Sequence, residues 1–179
     1  MISTTRDVRR HNFLLLTYAE MDFLINREQL CASLFLEHLD EFAGDAGTIS
    51  GTMEYREQTI PVFDFDAFLH QNFHCKIESL VQFALICELS AFSQEFQNTY
   101  YERIGQLHPE LSATYIALTV GSQAQIIQVP LTEINLIPGG LRQKETQRGV
   151  LGCRFPPTQR IQYFLDIETI LENEVLCAS

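Results

Sequence analysis

The 179-residue chain has no tryptophan and only 12 basic residues against 23 acidic ones, a formal charge of −11 at neutral pH. A nucleic-acid footprint needs clustered Lys and Arg, so this balance excludes nucleic acid as a partner. The one basic cluster, Arg6, Arg9 and Arg10, falls in a polar stretch and reads as part of a flexible arm over residues 1–12. No apolar run approaches the roughly 18 residues of a membrane span, and residues 1–12 lack the apolar region of a secretory signal, so a cytoplasmic protein with no membrane insertion is expected. Cys31, Cys75, Cys87, Cys153 and Cys177 include no Cys-x-x-Cys pair and no zinc spacing, and read as free thiols in a reducing compartment. A Gly-rich phosphate loop and a Gly-x-Ser-x-Gly elbow are also missing.

Hydrophobic residues make up 46% of the chain and aromatic ones 11%. At this length roughly 70% of the extended-chain surface is buried on folding, enough for one domain or two small subdomains without a disulfide or metal staple. Apolar runs at 13–18 and 23–25 flank a polar-leaning turn and predict a β-hairpin. Residues 33–42 read as a strand followed by one acidic helical turn. After the Gly44-Asp45-Ala46-Gly47 turn, residues 49–65 predict a second hairpin, with its polar corner at Glu57-Gln58. Pro61 cannot donate a ladder hydrogen bond, which places the strand containing Ile60, Pro61 and Val62 at a sheet edge or a bulge. Residues 80–87 fit either a buried strand or the start of a helix.

From 90 to 107, Phe92, Phe96, Tyr100, Ile104 and Leu107 recur at helical spacing, predicting a helix ended by Pro109 and packed outside the β structure by a one-sided stripe. Residues 114–120 and 125–129 predict another hairpin about Gly121-Ser122-Gln123-Ala124. Gly139-Gly140 breaks the extended piece that follows. A last hairpin spans 149–166, with a short helix over 167–174. The order hairpin, connector, Gly-led hairpin, Asp, helical turn thus occurs twice, at roughly 13–70 and 115–172.

Candidate chemistry is sparse. His70 and His74 stand at i, i+4 beside Cys75, but no third ligand or supporting carboxylate accompanies them, so no metal is expected. Asp64 and Asp66 could serve as paired carboxylates, yet both lie where a strand becomes a helix, where Asp most often caps backbone N–H groups; Asp166 has the same reading. Arg56 at the corner of the second hairpin either pairs with a partner's carboxylate or bridges to Glu54 or Glu57.

The stretch Gly51-Thr52-Met53-Glu54-Tyr55-Arg56-Glu57-Gln58-Thr59-Ile60-Pro61-Val62-Phe63-Asp64-Phe65 resembles the signature of the CheW-like family of chemotaxis coupling proteins, with Gly51, Arg56, Pro61 and Asp64 at family identities. Glu133-Ile134, Gly149-Val150 and Leu165-Asp166 follow in the expected order, so the resemblance runs from about residue 13 to 171. Three features depart from it. Glu57 stands at a turn Gly, an Asp is missing at Gln128-Val129, and the helix near 90–107 is an insertion.

The resemblance implies a mainly β fold of two intertwined, SH3-like β-barrels with a few short helices. The expected organisation is a single CheW-like domain over 13–172, with subdomains at about 13–75 and 114–172 and a connector with its helix at 78–113. It further implies no catalysis, no cofactor, and an adaptor role between the cytoplasmic tip of chemoreceptors and the regulatory domain of a chemotaxis histidine kinase. Tyr55, Arg56, Glu57, Ile60, Pro61 and Val62 are the expected partner-binding residues. Two alternatives stay open: an accessory module that binds the kinase without receptors, and a small-molecule or enzymatic barrel using Asp64, His70 and His74.

Overall fold

A computed structural model describes residues 10–19, 21–41, 49–76, 81–111, 114–137, 149–157 and 160–176. The arm over 1–9, the 44–47 turn and the Gly139-Gly140 break lie outside the described residues. The fold is mainly β. Strands β1 (Arg10–Thr17) and β2 (Asp22–Asn26) form the opening hairpin, so residues 10–12, expected in the arm, are paired backbone. There follow β3 (Leu30–Phe35), β4 (Asp40–Glu41), β5 (Gly51–Tyr55), β6 (Gln58–Phe63), helix α1 (Phe65–Phe73) and β7 (Phe83–Glu88). Helix α2 (Gln94–Leu107) precedes β8 (Tyr115–Val120), β9 (Gln123–Pro130), β10 (Asn135–Leu136), β11 (Val150–Arg154) and β12 (Gln162–Leu165). The described chain closes on α3 (Ile167–Leu171) and a π-helical turn, Glu172–Leu176. Among the described residues of 33–42 the expected helical turn is absent, because Leu34, Leu36 and Leu39 instead lay an extended chain over an apolar cluster.

The strands make two six-stranded sheets, ordered β9-β1-β2-β12-β11-β10 and β3-β7-β8-β6-β5-β4. Each order is the other displaced by six strands around the chain, and in each one neighbouring pair is parallel, β2 with β12 and β8 with β6. The molecule is therefore two similar halves that exchange hairpins. β1–β2 completes the sheet of the C-terminal strands, and β7–β8 completes the sheet of β3–β6. The division of the β structure does not follow chain order, as the subdomain ranges 13–75 and 114–172 had it.

The expected hairpin at 114–129 is corrected by the same topology. β8 is buried along its whole length and sits between β7 and β6, while β9 leaves for the other sheet and pairs with β1, Phe13 opposite Ile127. Gly121-Ser122 is a corner between sheets. The true counterpart of β1–β2 is β7–β8, whose connection has been opened to hold α2. A local pattern of strand, short turn and strand does not reveal which neighbour each strand takes.

The main core lies between the sheets and joins Leu16, Phe23 and Ile25 of one to Leu85 and Leu118 of the other. Helix α2 starts at Ser93, whose hydroxyl caps the Phe96 N–H, and Phe96, Tyr100 and Ile104 enter this core at 3% exposure or less. Burying such side chains contributes roughly 1.5–3 kcal/mol each, so α2 is part of the core and not an external attachment. Met53, Tyr55, Ile60, Val62, Ala84, Ile86, Tyr115 and Ala117 form a second cluster at the β5–β6 hairpin, and Phe13, Leu24 and Val129 a third.

Candidate functional site

The β5–β6 connection has only two residues between Tyr55 and Gln58. A two-residue hairpin matched to the right-handed twist of its strands needs positive φ at both central positions, normally supplied by Asn-Gly. Here Arg56 has φ 48° and Glu57 φ 60°. Left-handed backbone at a residue with a Cβ costs roughly 1–2 kcal/mol, and the five register pairs from Gly51–Val62 to Tyr55–Gln58 hold the corner in place. Glu57 at the turn Gly position is thus accommodated as strain, with the turn type retained.

Arg56 points across the end of the sheet onto two phenol rings. Its guanidinium carbon is 5.2 Å from the centroid of Tyr55 and 5.9 Å from that of Tyr115, and Nη1 donates to the Tyr115 hydroxyl at 3.3 Å. The two rings meet edge to face, centroids 5.1 Å apart at 84°. Such cation–π contacts contribute roughly 0.5–1 kcal/mol at exposed sites, enough to bias a rotamer without fixing the chain. The hydroxyl of Tyr55 lies 3.9 Å from the Cys31 sulfur, and burial together with that thiol pushes its pKa above the ordinary value. The Glu54 carboxylate is occupied by the Thr59 hydroxyl. Neither intramolecular bridge considered for Arg56 forms.

Of the six residues expected to bind a partner, Arg56 and Glu57 are exposed and Tyr55 is packed beneath them. Ile60, Pro61 and Val62 are buried, so the expected apolar edge is corrected: β6 is an interior strand between β5 and β8. Pro61 is tolerated because the parallel ladder to β8 begins only after it, at Val62–Ala117. Tyr115 was not among the expected residues. It is 59 positions from Arg56, and only the β6–β8 pairing brings the two together.

The residues of the rival site do not converge. Asp64 caps α1 by accepting the Ala67 N–H at 2.9 Å and also receives the Thr119 hydroxyl at 3.3 Å. Asp66 is not a cap. It is buried, its carboxylate takes the Tyr18 hydroxyl at 2.6 Å, and burial raises its pKa above the ordinary aspartate range. His70 Nδ1 lies 2.8 Å from the Cys75 carbonyl oxygen, while His74 ends the helix in a left-handed cap. Among the described residues no three His, Cys, Asp or Glu side chains are grouped to hold a metal ion, and no helix is long and apolar enough to cross a membrane. A cavity of about 230 Å³ is lined by Ser50, Phe63, Asp64, Phe68 and Glu174, among others, with neither histidine in its wall. Asp166 caps α3 through the Thr169 N–H and hydroxyl, as expected.

Two sheets that exchange hairpins, with Asp-capped helices after β6 in one and β12 in the other, have the CheW-like fold. The solved scaffolding protein TtCheW from Thermoanaerobacter tengcongensis has this fold, with a TM-score of 0.63 over 96% of this chain and 94% of that one, at 12% sequence identity. No protein-family model matches the sequence, and neither does any curated protein.

Proposed function

We propose that the chain is a non-enzymatic adaptor of the cytoplasm that couples the cytoplasmic tip of chemoreceptors to the regulatory domain of a chemotaxis histidine kinase. The observation that carries this reading is the extent of the likeness to a scaffolding protein, which includes both sheets and leaves almost none of either chain over. The site chemistry agrees with it. Asp64 and Asp166 are engaged in capping and His70 at a backbone carbonyl, while the exposed Arg56 corner offers directed donors on an acidic molecule.

Purified chain immobilised on resin should retain both a receptor cytoplasmic fragment and the kinase regulatory domain, each in the absence of the other. Retention of the kinase alone would favour the accessory-module reading, and retention of neither would end the adaptor reading.

A further inference from the structure

The two halves of the molecule provide an internal control for Arg56. In the first half, Phe63 directly precedes the capping Asp64 and pairs with Leu118 of β8; in the second, Leu165 precedes Asp166 and pairs with Ile25 of β2. Three residues back along the parallel neighbour stand Tyr115 and Asp22, the first residues of their strands. Each faces an arginine from its own hairpin connection. Arg160 comes within 3.2 Å of the Asp22 carboxylate, a side chain only 8% exposed, and also donates to the Tyr18 carbonyl. Its charge is consumed inside the molecule. Arg56 meets a neutral phenol at the equivalent place, and no carboxylate among the described residues pairs with it.

We propose that Tyr115 is a positioning residue which, with Tyr55, holds the Arg56 guanidinium in place and leaves its remaining donors free to take a carboxylate of the protein partner. A guanidinium carries five N–H donors; one goes to the Tyr115 hydroxyl, and the remainder match the forked geometry of a carboxylate. Contact with the two π systems orients the group without neutralising it. An aspartate at 115 would pair with the guanidinium internally, as Asp22 does with Arg160. The identity of the partner rests on the adaptor reading, but the ordering of Arg56 does not.

The test uses the full chain and two readouts. The first is the heteronuclear NOE of the Arg56 Nε–Hε group in the free protein, which should be that of an ordered side chain in wild type and Tyr115→Phe and of a mobile one in Tyr115→Leu. The second is calorimetric affinity for the regulatory domain of a chemotaxis histidine kinase. Tyr115→Asp should weaken binding about tenfold or more, the loss expected for one charge-assisted hydrogen bond, and should add nothing in an Arg56→Ala background. Tyr115→Phe should bind nearly as wild type. Melting temperature checks each variant, and Tyr115→Leu replaces Tyr115→Asp if the latter fails to fold.

An Arg56 signal already mobile in wild type, or unmoved by Tyr115→Leu, overturns the proposal whatever the affinities. So does a Tyr115→Asp loss that persists undiminished without Arg56. If the wild-type chain does not bind the kinase domain at all, the adaptor reading fails, and the NOE still decides whether Tyr115 positions Arg56.

Discussion

In the N-terminal half the Asp-capped hairpin turns through two left-handed residues and leaves Arg56 on the faces of Tyr55 and Tyr115. In the C-terminal half the hairpin β11–β12 is joined by residues 155–161, and Arg160 returns to the Asp22 carboxylate. The acidic residue two positions after each cap, by comparison, does the same job in both halves. Asp66 is buried against Tyr18 in the β1–β2 turn, whereas Glu168 accepts from the N–H and hydroxyl of Ser93, the cap of α2 in the β7–β8 connection. Both carboxylates tie a half to the hairpin it has lent. One plan thus carries two chemistries at the hairpin corner: the second half spends its arginine on internal closure, while the first keeps strain and a guanidinium that no carboxylate among the described residues compensates. Retained strain of this kind is characteristic of functional sites.

The largest effect that would break this comparison is expected at Gly149, which opens the second hairpin with φ +68° and whose oxygen accepts the Asp166 N–H at 2.8 Å. A Cβ there would stand 2.3 Å from Ile170 Cγ1. Adding backbone strain to overpacking, Gly149→Ala should destabilise by roughly 2–5 kcal/mol in urea unfolding. Little change would mean that the second half is not the tightly closed one.

The two arginines should then separate stability from binding. Arg160→Ala leaves the buried Asp22 carboxylate without its cation. Because Arg160 is 37% exposed, the loss should fall below that of a fully buried pair, at about 1–3 kcal/mol, with partner affinity unchanged. Arg56→Ala should do the reverse, costing no more than the roughly 0.5–1 kcal/mol of exposed cation–π contact and weakening partner binding about tenfold or more. A fall in melting temperature on Arg56→Ala that matched its loss of binding would make Arg56 structural.

Asp66 gives a smaller, pH-dependent effect. Its folded pKa is raised by burial, with Asp64 adding repulsion and Tyr18 and the Gly121 backbone opposing. An acid whose folded pKa lies above its unfolded value of about 3.9 binds its proton more tightly when folded. Its contribution to stability is therefore full below that value and lost as pH rises through the folded pKa. Asp66→Asn should remove this slope, raising the melting temperature at neutral pH and leaving it unchanged near pH 3. The smallest effect is expected for Glu57→Gly, which relieves one left-handed residue and should add about 1 kcal/mol of stability or less without moving Arg56.

Much of this was legible locally. The hairpin at 49–65, the Asp64 and Asp166 caps and the apolar stripe of α2 each depend on neighbours within a few residues, where turn chemistry and periodicity act. What could not be read were pairings between distant segments. The exchange of β1–β2 and β7–β8 depends on which sheet edge each strand meets, and β8 followed by Gly121-Ser122 looks the same whether the chain folds back or crosses over. Pro61 was legible as a missing donor but not as a residue just ahead of a parallel ladder. Tyr115 carried no signal as the partner of Arg56, because nothing near it in sequence marks the register of β8 on β6. The depth of Asp66 was hidden for the same reason, since Tyr18 and Gly121 reach it from elsewhere in the chain.

The proposed coupling of receptor to kinase is checked by sedimentation velocity on a mixture of receptor cytoplasmic fragment, chemotaxis kinase and this chain. One faster boundary containing all three proteins is expected, absent when the chain is omitted and diminished when Arg56→Ala replaces it. Unchanged boundaries for receptor fragment and kinase, with the chain sedimenting alone, would contradict it.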